Sequence, residues 1–186
     1  MELPHRKTCK RYDIDGQAHC LTFSCFKQQP FLSRQRCCLW LAEALNTGRT
    51  EGLYDLWGYV FMPEHVHLVL LPHPGVKISR ILFAVKTAVA RGALAWVRTE
   101  CPAFLTHMED RQPNGSCHHR FWQRGGGYDR NLRSVHDIRE KIRYIHASPL
   151  RRGLVADPED WHWSSYRAWQ TGEDAPIPLD RESLMR

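Results

Sequence analysis

The chain has 186 residues, of which 42% are hydrophobic and 25% are charged, values that fit one globular domain and argue against two full domains. It carries 26 Lys and Arg residues against 20 Asp and Glu residues, a net charge of +6, and this balance favours nucleic acid over a membrane as partner. No apolar run reaches transmembrane length, and residues 1–7 lack the apolar segment of a signal peptide. Seven cysteines at irregular spacing, without a C-x-x-C pair, argue against a zinc ribbon and indicate free thiols in a reducing compartment.

The first half of the chain alternates between strand and helix patterns. Residues 1–17 are polar and basic, and residues 18–26 alternate and are rich in β-formers, which predicts a first strand. Apolar residues at helical spacing predict a helix over residues 33–46. Residues 53–62 and 65–71 read as two strands joined by a tight connection, so we expect an antiparallel hairpin.

The clearest helix is predicted over residues 77–98, where apolar residues recur at spacings of three, four and seven. Lys77, Arg80 and Arg91 line another face of the same helix. This basic stripe is either a solvated surface or, beside a strand that bears paired histidines, a place where a phosphate backbone lies.

Residues 101–120 have the composition of a loop, and residues 117–119 (Cys-His-His) could bind a metal ion. No complementary cluster at a recognised spacing supports that site. Three glycines at 125–127 are too few for a phosphate-binding loop, and neither known glycine motif is present.

A strand is predicted over residues 128–133, and a second strong helix begins at Ser134, where Asp137 completes a capping-box-like pattern. Tyr144 falls roughly 140° from the centre of this helix's apolar face, as does Ser148 one turn later. A tyrosine there has no packing reason, and Pro149 ends the helix soon after it. We therefore expect a reactive side chain among basic neighbours, in a position to meet a phosphate.

The C-terminal part of the chain begins with an aromatic run at residues 161–166, which is either a packing element or a base-stacking surface. The polar, proline-bearing residues from 171 onward predict a mobile tail. The predicted organisation is one domain over residues 1–170 and a polar tail over residues 171–186.

His65 and His67 lie within the third predicted strand, with one apolar residue between them. Because side chains alternate along a strand, both imidazoles point to the same face. They form either a pair of metal ligands or an ordinary pair of hydrogen-bonded histidines. A divalent ion held there would act as a Lewis acid on a phosphoryl oxygen, and a tyrosine nearby could form a covalent phosphotyrosine.

Four segments resemble the single-tyrosine HUH transposases, and specifically their REP-associated branch, whose members act on repetitive extragenic palindromes in bacterial genomes. The segments are PEHVHLVL at 63–70, FWQR at 121–124, YIHASPLRRGLV at 144–155 and WSSY at 163–166. The first is similar to the HUH motif and the others to the markers of that branch. The resemblance covers about residues 12 to 170.

The resemblance implies a ferredoxin-like α+β fold, in which helices pack on an antiparallel sheet. It implies Mg²⁺ or Mn²⁺ held by His65 and His67, and Tyr144 as the nucleophile that forms a 5′-phosphotyrosine and leaves a free 3′-hydroxyl. The substrate would be single-stranded DNA bearing a hairpin, and the protein would be a monomer or homodimer at the bacterial nucleoid, in the cytoplasm, without a membrane partner. We expect the DNA contacts to come from basic side chains: Lys77, Arg80, Arg91, Arg124, Arg151 and Arg152.

One departure from the family pattern concerns Ser148, since the family usually has Asn before the proline, where a third metal ligand is expected. A serine hydroxyl is a shorter and weaker ligand, which leaves open a domesticated protein that binds hairpin DNA without cleaving it. An unrelated alternative, a zinc hydrolase or nucleobase deaminase, is disfavoured because no H-x-E with a later P-C-x-x-C occurs. Tyr128, the other tyrosine near a basic segment, is expected to be structural.

Overall fold

The computed structural model describes residues 12–173 and 176–185. The strands and helices in chain order are β1 Ala18–Ser24, α1 Gln35–Thr50, β2 Tyr54–Phe61, β3 His65–Pro72, α2 Ile78–Glu100, β4 Glu109–Arg111, β5 Cys117–His119, β6 Tyr128–Leu132, α3 Val135–His146, α4 Ser148–Arg151 and α5 Tyr166–Thr171. Strands β2, β3, β1 and β6 form an antiparallel sheet in that order, β4 and β5 form a separate hairpin, and helices cover both faces of the sheet. The α+β class predicted from the sequence is confirmed.

Strand β3 lies between β2 and β1, so it is central, and it pairs with β2 as the predicted hairpin. Its even-numbered side chains, from Val66 to Leu70, are buried in the core formed with α1 and α2. Its odd-numbered side chains point to the opposite face, where Val69 packs with Ile142 of α3. Alternate side chains of this one strand therefore pack against different helix layers, with α1 and α2 on one face and α3 on the other.

Helix α2 follows the predicted apolar pattern, with Ile81, Val85 and Val89 buried against the sheet. Its first backbone N–H donates to the carboxylate of Asp13 (3.0 Å). A negative charge at this position interacts favourably with the positive end of the helix dipole. Because α2 packs on the even-numbered side of β3 and α3 on the odd-numbered side, the two helices lie on opposite faces of the sheet.

The outer edge of β2 is bonded to two later segments of the chain. The N–H of Ser165 donates to the carbonyl of Tyr59 (2.9 Å), and the N–H of Asp180 donates to the carbonyl of Leu56 (2.9 Å). The carboxylate of Asp180 accepts the N–H of Leu56 in return (2.9 Å). These bonds occupy backbone groups of β2 that its neighbour β3 does not reach.

The aromatic run at residues 161–166 has a packing role in the structure. The indole N–H of Trp161 donates to the carbonyl of Phe61 (2.9 Å), and the ring of Trp163 stacks on Phe61 at 5.8 Å. Of the two interpretations drawn from the sequence, the structure supports the packing element.

The described residues 176–185 differ from the mobile tail expected after residue 171. Ile177 and Leu184 are buried, and the Trp57 indole donates to the hydroxyl of Ser183 (2.8 Å). This segment contributes side chains to both layers of the core. The domain boundary at residue 170 stays a prediction.

Two other expectations need qualification. Residues 101–120 are not all loop, since they contain a 3₁₀ helix (Pro102–Met108) and the β4–β5 hairpin. Of the basic N-terminal segment, residues 1–11 lie outside the described residues. The six described cysteines are free thiols, as expected, and no helix in the described ranges is long and apolar enough to cross a membrane.

The triglycine segment has a structural explanation at Gly127. Its φ is +70°, and a Cβ added there would lie 2.0 Å from the backbone oxygen of Thr22 on β1. Only a residue without a side chain allows this approach of the two backbones. Gly125 also has a positive φ, of +86°, but a Cβ there would meet no atom within 4 Å.

The substitution Gly127→Ala is expected to lower the free energy of unfolding more than Gly125→Ala does. The control carries only the backbone strain of a non-glycine residue at positive φ, about 1–2 kcal/mol, whereas Gly127→Ala adds a backbone clash that must displace Thr22. Urea denaturation of both variants measures the difference. Equal losses would show that the approach of Gly127 to Thr22 is not a close packing contact.

Candidate active site

The side chains of His65 and His67 converge on the odd-numbered face of β3. Their Nε2 atoms lie 3.0 Å apart and their ring centroids 4.6 Å apart, with the ring planes at 83°. The predicted common face is therefore observed. Two imidazole nitrogens that face each other at this distance are arranged as a pair of ligands to one ion would be.

The Nδ1 atoms of both rings have partners within the protein. His65 Nδ1 lies 2.9 Å from the carboxylate of Glu64, and His67 Nδ1 lies 2.8 Å from the hydroxyl of Thr22. A carboxylate can only accept, so His65 carries its proton on Nδ1, and its Nε2 accepts a hydrogen bond from Nε2–H of His67 in the metal-free protein. If His67 gave up that proton, both Nε2 lone pairs would be available to a cation. Outer partners of this kind orient histidine ligands in metal sites, and the donor set of His65 and His67 fits a divalent cation.

Burial, hydrogen bonds and neighbouring charges lower the pKa values of His65, His67 and Glu64. Burial lowers the pKa of His65, and burial together with the nearby His65 and Arg151 lowers the pKa of His67 to about 3. Burial alone would raise the pKa of Glu64, but hydrogen bonds from Arg152 and His65 outweigh it and lower that pKa. Neutral imidazoles beside an ionised carboxylate are the protonation states that cation binding requires.

Tyr144 projects from the last turns of α3 and is 53% exposed, as its position opposite the apolar face predicts. The guanidinium of Arg151 lies 4.1 Å from the centroid of its ring, and the Lys141 ammonium lies 5.0 Å from it. The helix is positioned by its N-cap, where the Ser134 hydroxyl accepts the N–H of Asp137 (3.1 Å), so the predicted cap is confirmed.

Two arginines connect the tyrosine helix with the histidine pair. Arg152 donates to the same Glu64 oxygen (2.5 Å) that accepts from His65. Arg151 contacts the Tyr144 ring, and its charge contributes to the lowered pKa of His67. Because α3 packs on the odd-numbered side of β3, the tyrosine and the histidines belong to the same face of the sheet.

Ser148 is buried at the junction of α3 and α4, and Pro149 does not remove it from helical structure but follows it in the first turn of α4. Its hydroxyl accepts from Arg151 (2.8 Å) and lies 3.4 Å from the carbonyl of Tyr144. A metal ion would compete with the guanidinium for this oxygen. The role of Ser148 as a ligand stays a prediction, and the Arg151 contact weighs against it.

The described part of the chain contains no group of three or more His, Cys, Asp or Glu side chains arranged to hold a metal ion. The metal-ligand roles of His65 and His67 stay a prediction. The Cys-His-His sequence of residues 117–119 forms the short strand β5, paired with β4.

The structure does not bring the predicted basic stripe of α2 beside the histidine pair. Arg80 and Arg91 are exposed on α2, and Lys77 is exposed at its N-cap, and this helix packs against the opposite face of the sheet. An amphipathic pattern does not specify which face of a sheet a helix covers, so the sequence left the position of the stripe relative to the histidines open. The DNA contacts of Lys77, Arg80 and Arg91 stay a prediction. Arg124 pairs with Asp110 (3.2 Å) away from that face and lines a groove with Arg91.

Three residues near the site were assigned no role in it from the sequence. Thr22 and Glu64 orient the histidines, and Tyr128 lies directly across β1 from His67, since Thr22 pairs with both. Residues opposite one another share a face, so Tyr128, which is 50% exposed, lies on the histidine side. Glu64 is next to His65 in the sequence, whereas only the strand register, which sequence patterns leave open, identifies Thr22 and Tyr128 as neighbours.

Comparison with known proteins supports the predicted resemblance. No family model matches the chain. A REP-associated tyrosine transposase of Haemophilus influenzae is 26% identical over 106 residues, which cover 56% of this chain and 54% of that protein. The chain thus matches about half the length of this curated relative.

One solved structure extends the match over nearly the whole chain. A REP-associated tyrosine transposase bound to a REP hairpin aligns with a TM-score of 0.67 and 20% identity, covering 92% of this chain and 90% of the other. A transposase from Deinococcus radiodurans aligns with a TM-score of 0.44 and 22% identity over 75% of this chain. The resemblance predicted from the sequence is confirmed, and the fold is that of the first of these structures.

The stability of the metal-free protein should fall in acid. In the folded state the pKa is about 3 for His67 and about 4 for His146, which burial lowers, against about 6.5 in an unfolded chain. The unfolded chain therefore binds about two more protons between these values, and the free energy of unfolding should decrease as pH falls below about 6.5. Urea denaturation in EDTA across this range measures the slope.

The variant His146→Gln should show a shallower slope, because one of these protons is no longer taken up on unfolding. His136→Gln, which removes an exposed histidine from the same helix, is the matched control for loss of a histidine. Equal slopes for the parent and His146→Gln would contradict the prediction.

Proposed function

We propose that the protein is a single-stranded DNA endonuclease and strand transferase that acts on hairpin-bearing, REP-like DNA. The observation that supports this function best is the placement of the histidine pair and Tyr144 on one face of the sheet, connected through Arg152, Glu64 and Arg151. The relationship to REP-associated tyrosine transposases supports the class of substrate.

In the proposed reaction the Tyr144 oxygen attacks a phosphodiester phosphorus. The bond to the 3′ oxygen breaks, so that a 5′-phosphotyrosine and a free 3′-hydroxyl result. The ester keeps the energy of the original linkage, and a 3′-hydroxyl of another strand can attack it to rejoin DNA and release the tyrosine.

The other side chains of the site have supporting roles. Arg151 holds the Tyr144 ring by stacking and places a positive charge where a phosphate would bind. Glu64 and Thr22 orient His65 and His67 as ligands of Mg²⁺ or Mn²⁺. The bound ion would supply Lewis-acid polarisation of the phosphoryl oxygen.

A second function, hairpin binding without cleavage, is favoured by the contact at Ser148. The Ser148 hydroxyl is engaged by Arg151, which leaves two histidines as protein ligands and predicts weak metal binding. The two functions share a substrate and differ in whether a covalent adduct forms.

The substitution Tyr144→Phe should abolish the covalent adduct while leaving hairpin affinity nearly unchanged. It keeps the ring that stacks with Arg151 and removes only the attacking oxygen. The measurement is a denaturing gel of end-labelled hairpin DNA incubated with Mg²⁺ or Mn²⁺, together with a binding titration.

Tyr128→Phe is the matched control, because it removes an exposed phenol oxygen from the same face. Adduct formation should survive in this control, and His65→Ala should suppress it through loss of the metal. Persistent adduct with Tyr144→Phe and its loss with Tyr128→Phe would instead identify Tyr128 as the nucleophile. Hairpin binding without adduct from the parent would favour the binding protein.

Ser148→Asn should raise cleavage activity, or lower the metal concentration at half-maximal activity, if residue 148 contributes a ligand. An amide oxygen reaches further than a hydroxyl and binds a hard cation better. A metal titration of the cleavage rate tests this. An unchanged metal requirement, in a variant that folds, would show that residue 148 is not a ligand and only positions Arg151.

A further inference from the structure

On the face of the sheet away from Tyr144, a cavity of about 410 Å³ lies between α1, α2 and the 3₁₀ helix Pro102–Met108. Its volume falls within the range of small-molecule sites. Five aromatic side chains line it: Phe31, Trp40, Trp96, Phe104 and Phe121. We call this the aromatic pocket.

The charged side chains that line the pocket are positive. Arg34 and Arg36 are among its lining residues, and among all the described residues that line it none is acidic. The guanidinium of Arg36 stacks on the Trp96 ring at 4.0 Å, which holds the indole in place. Aromatic walls with arginines and no carboxylate complement a flat aromatic group that carries an anion.

A basic groove of about 500 Å³ continues from the pocket along α2. The two share Phe121, and the α2 residues of the groove end at Leu94 where those of the pocket begin at Ala93 and Trp96. Four Lys and Arg side chains line the groove: Lys86, Arg91, Arg120 and Arg124. Asp110 forms ion pairs with the last two of them.

At its other end the groove stops at the triglycine segment, which lies between it and the candidate active site. Gly125 lines the groove, and Gly127 approaches the backbone of Thr22, whose hydroxyl contacts His67 on the other face. The three glycines between the groove and the histidine pair have no side chains that would obstruct an extended DNA strand.

We infer that the aromatic pocket binds an unstacked nucleobase of single-stranded DNA whose phosphates lie in the basic groove. A positive channel combined with aromatic stacking surfaces is the general arrangement of single-strand binding sites. The inference rests on the proposed function for the identity of the polymer and adds a second DNA site on the face opposite the reacting tyrosine.

The test measures the binding of hexathymidylate and of an abasic hexamer with the same backbone. Tryptophan fluorescence in the presence of EDTA reports the binding. The parent should bind hexathymidylate more tightly than the abasic hexamer. Trp96→Leu should lower affinity for hexathymidylate by roughly tenfold, within the range expected for one stacked base, and should not change affinity for the abasic hexamer. Phe83→Ala, which removes a 72% exposed aromatic ring of α2 outside the pocket, is the matched control.

Equal affinity for the two hexamers, or an equal loss in Trp96→Leu and Phe83→Ala, would overturn the inference. So would a change in oligomeric state with Trp96→Leu, because the pocket would then be an interface between copies. If that variant does not fold, Arg36→Gln, which removes the group stacked on Trp96, replaces it with the same expectation. The assay needs neither metal nor cleavage, so absence of the adduct overturns the proposed reaction without affecting the pocket.

Discussion

The period of two along the central strand β3 is the constraint on which the rest of the architecture depends. Its even-numbered side chains complete the core beneath α1 and α2, and its odd-numbered ones bring His65 and His67 to the face covered by α3. A shift of the register by one residue would bury both imidazoles among apolar side chains and move the valine and leucines to the face that α3 covers. The same hydrophobic pattern that stabilises the sheet thus determines where the histidines point.

The candidate site joins this strand to a helix that approaches it closely. Gly58 of β2 has no side chain at the point where Ile142 and Ile145 of α3 pack, and a Cβ there would lie 3.4 Å from Ile142. The helix α3 therefore packs close to the sheet. Arg152, which follows α3 and α4, donates to the carboxylate of Glu64. The nucleophile proposed here, its arginine neighbours and the histidines are consequently positioned by a rigid layer of buried residues.

Much of this arrangement could be predicted from the sequence, because strong periodicity reports local structure. The strand pair, the long helix α2, the Ser134 cap and the outward direction of Tyr144 are all confirmed. Sequence patterns could not specify which face of the sheet α2 covers, so they could not show that its basic stripe and the histidine pair lie on opposite faces. Nor could they show the register that brings Thr22 and Tyr128 into line with His67, or the packing of the short, aperiodic segment 176–185.

The contacts along the outer edge of β2 have a consequence for self-association. A bare edge strand offers a row of backbone donors and acceptors that another chain can extend, which is a common route to aggregation. Here Ser165 and Asp180 already occupy such groups on Tyr59 and Leu56. Strand addition at this end of the sheet would first have to displace the protein's own later segments, so this edge is protected against extension by the strand of another chain.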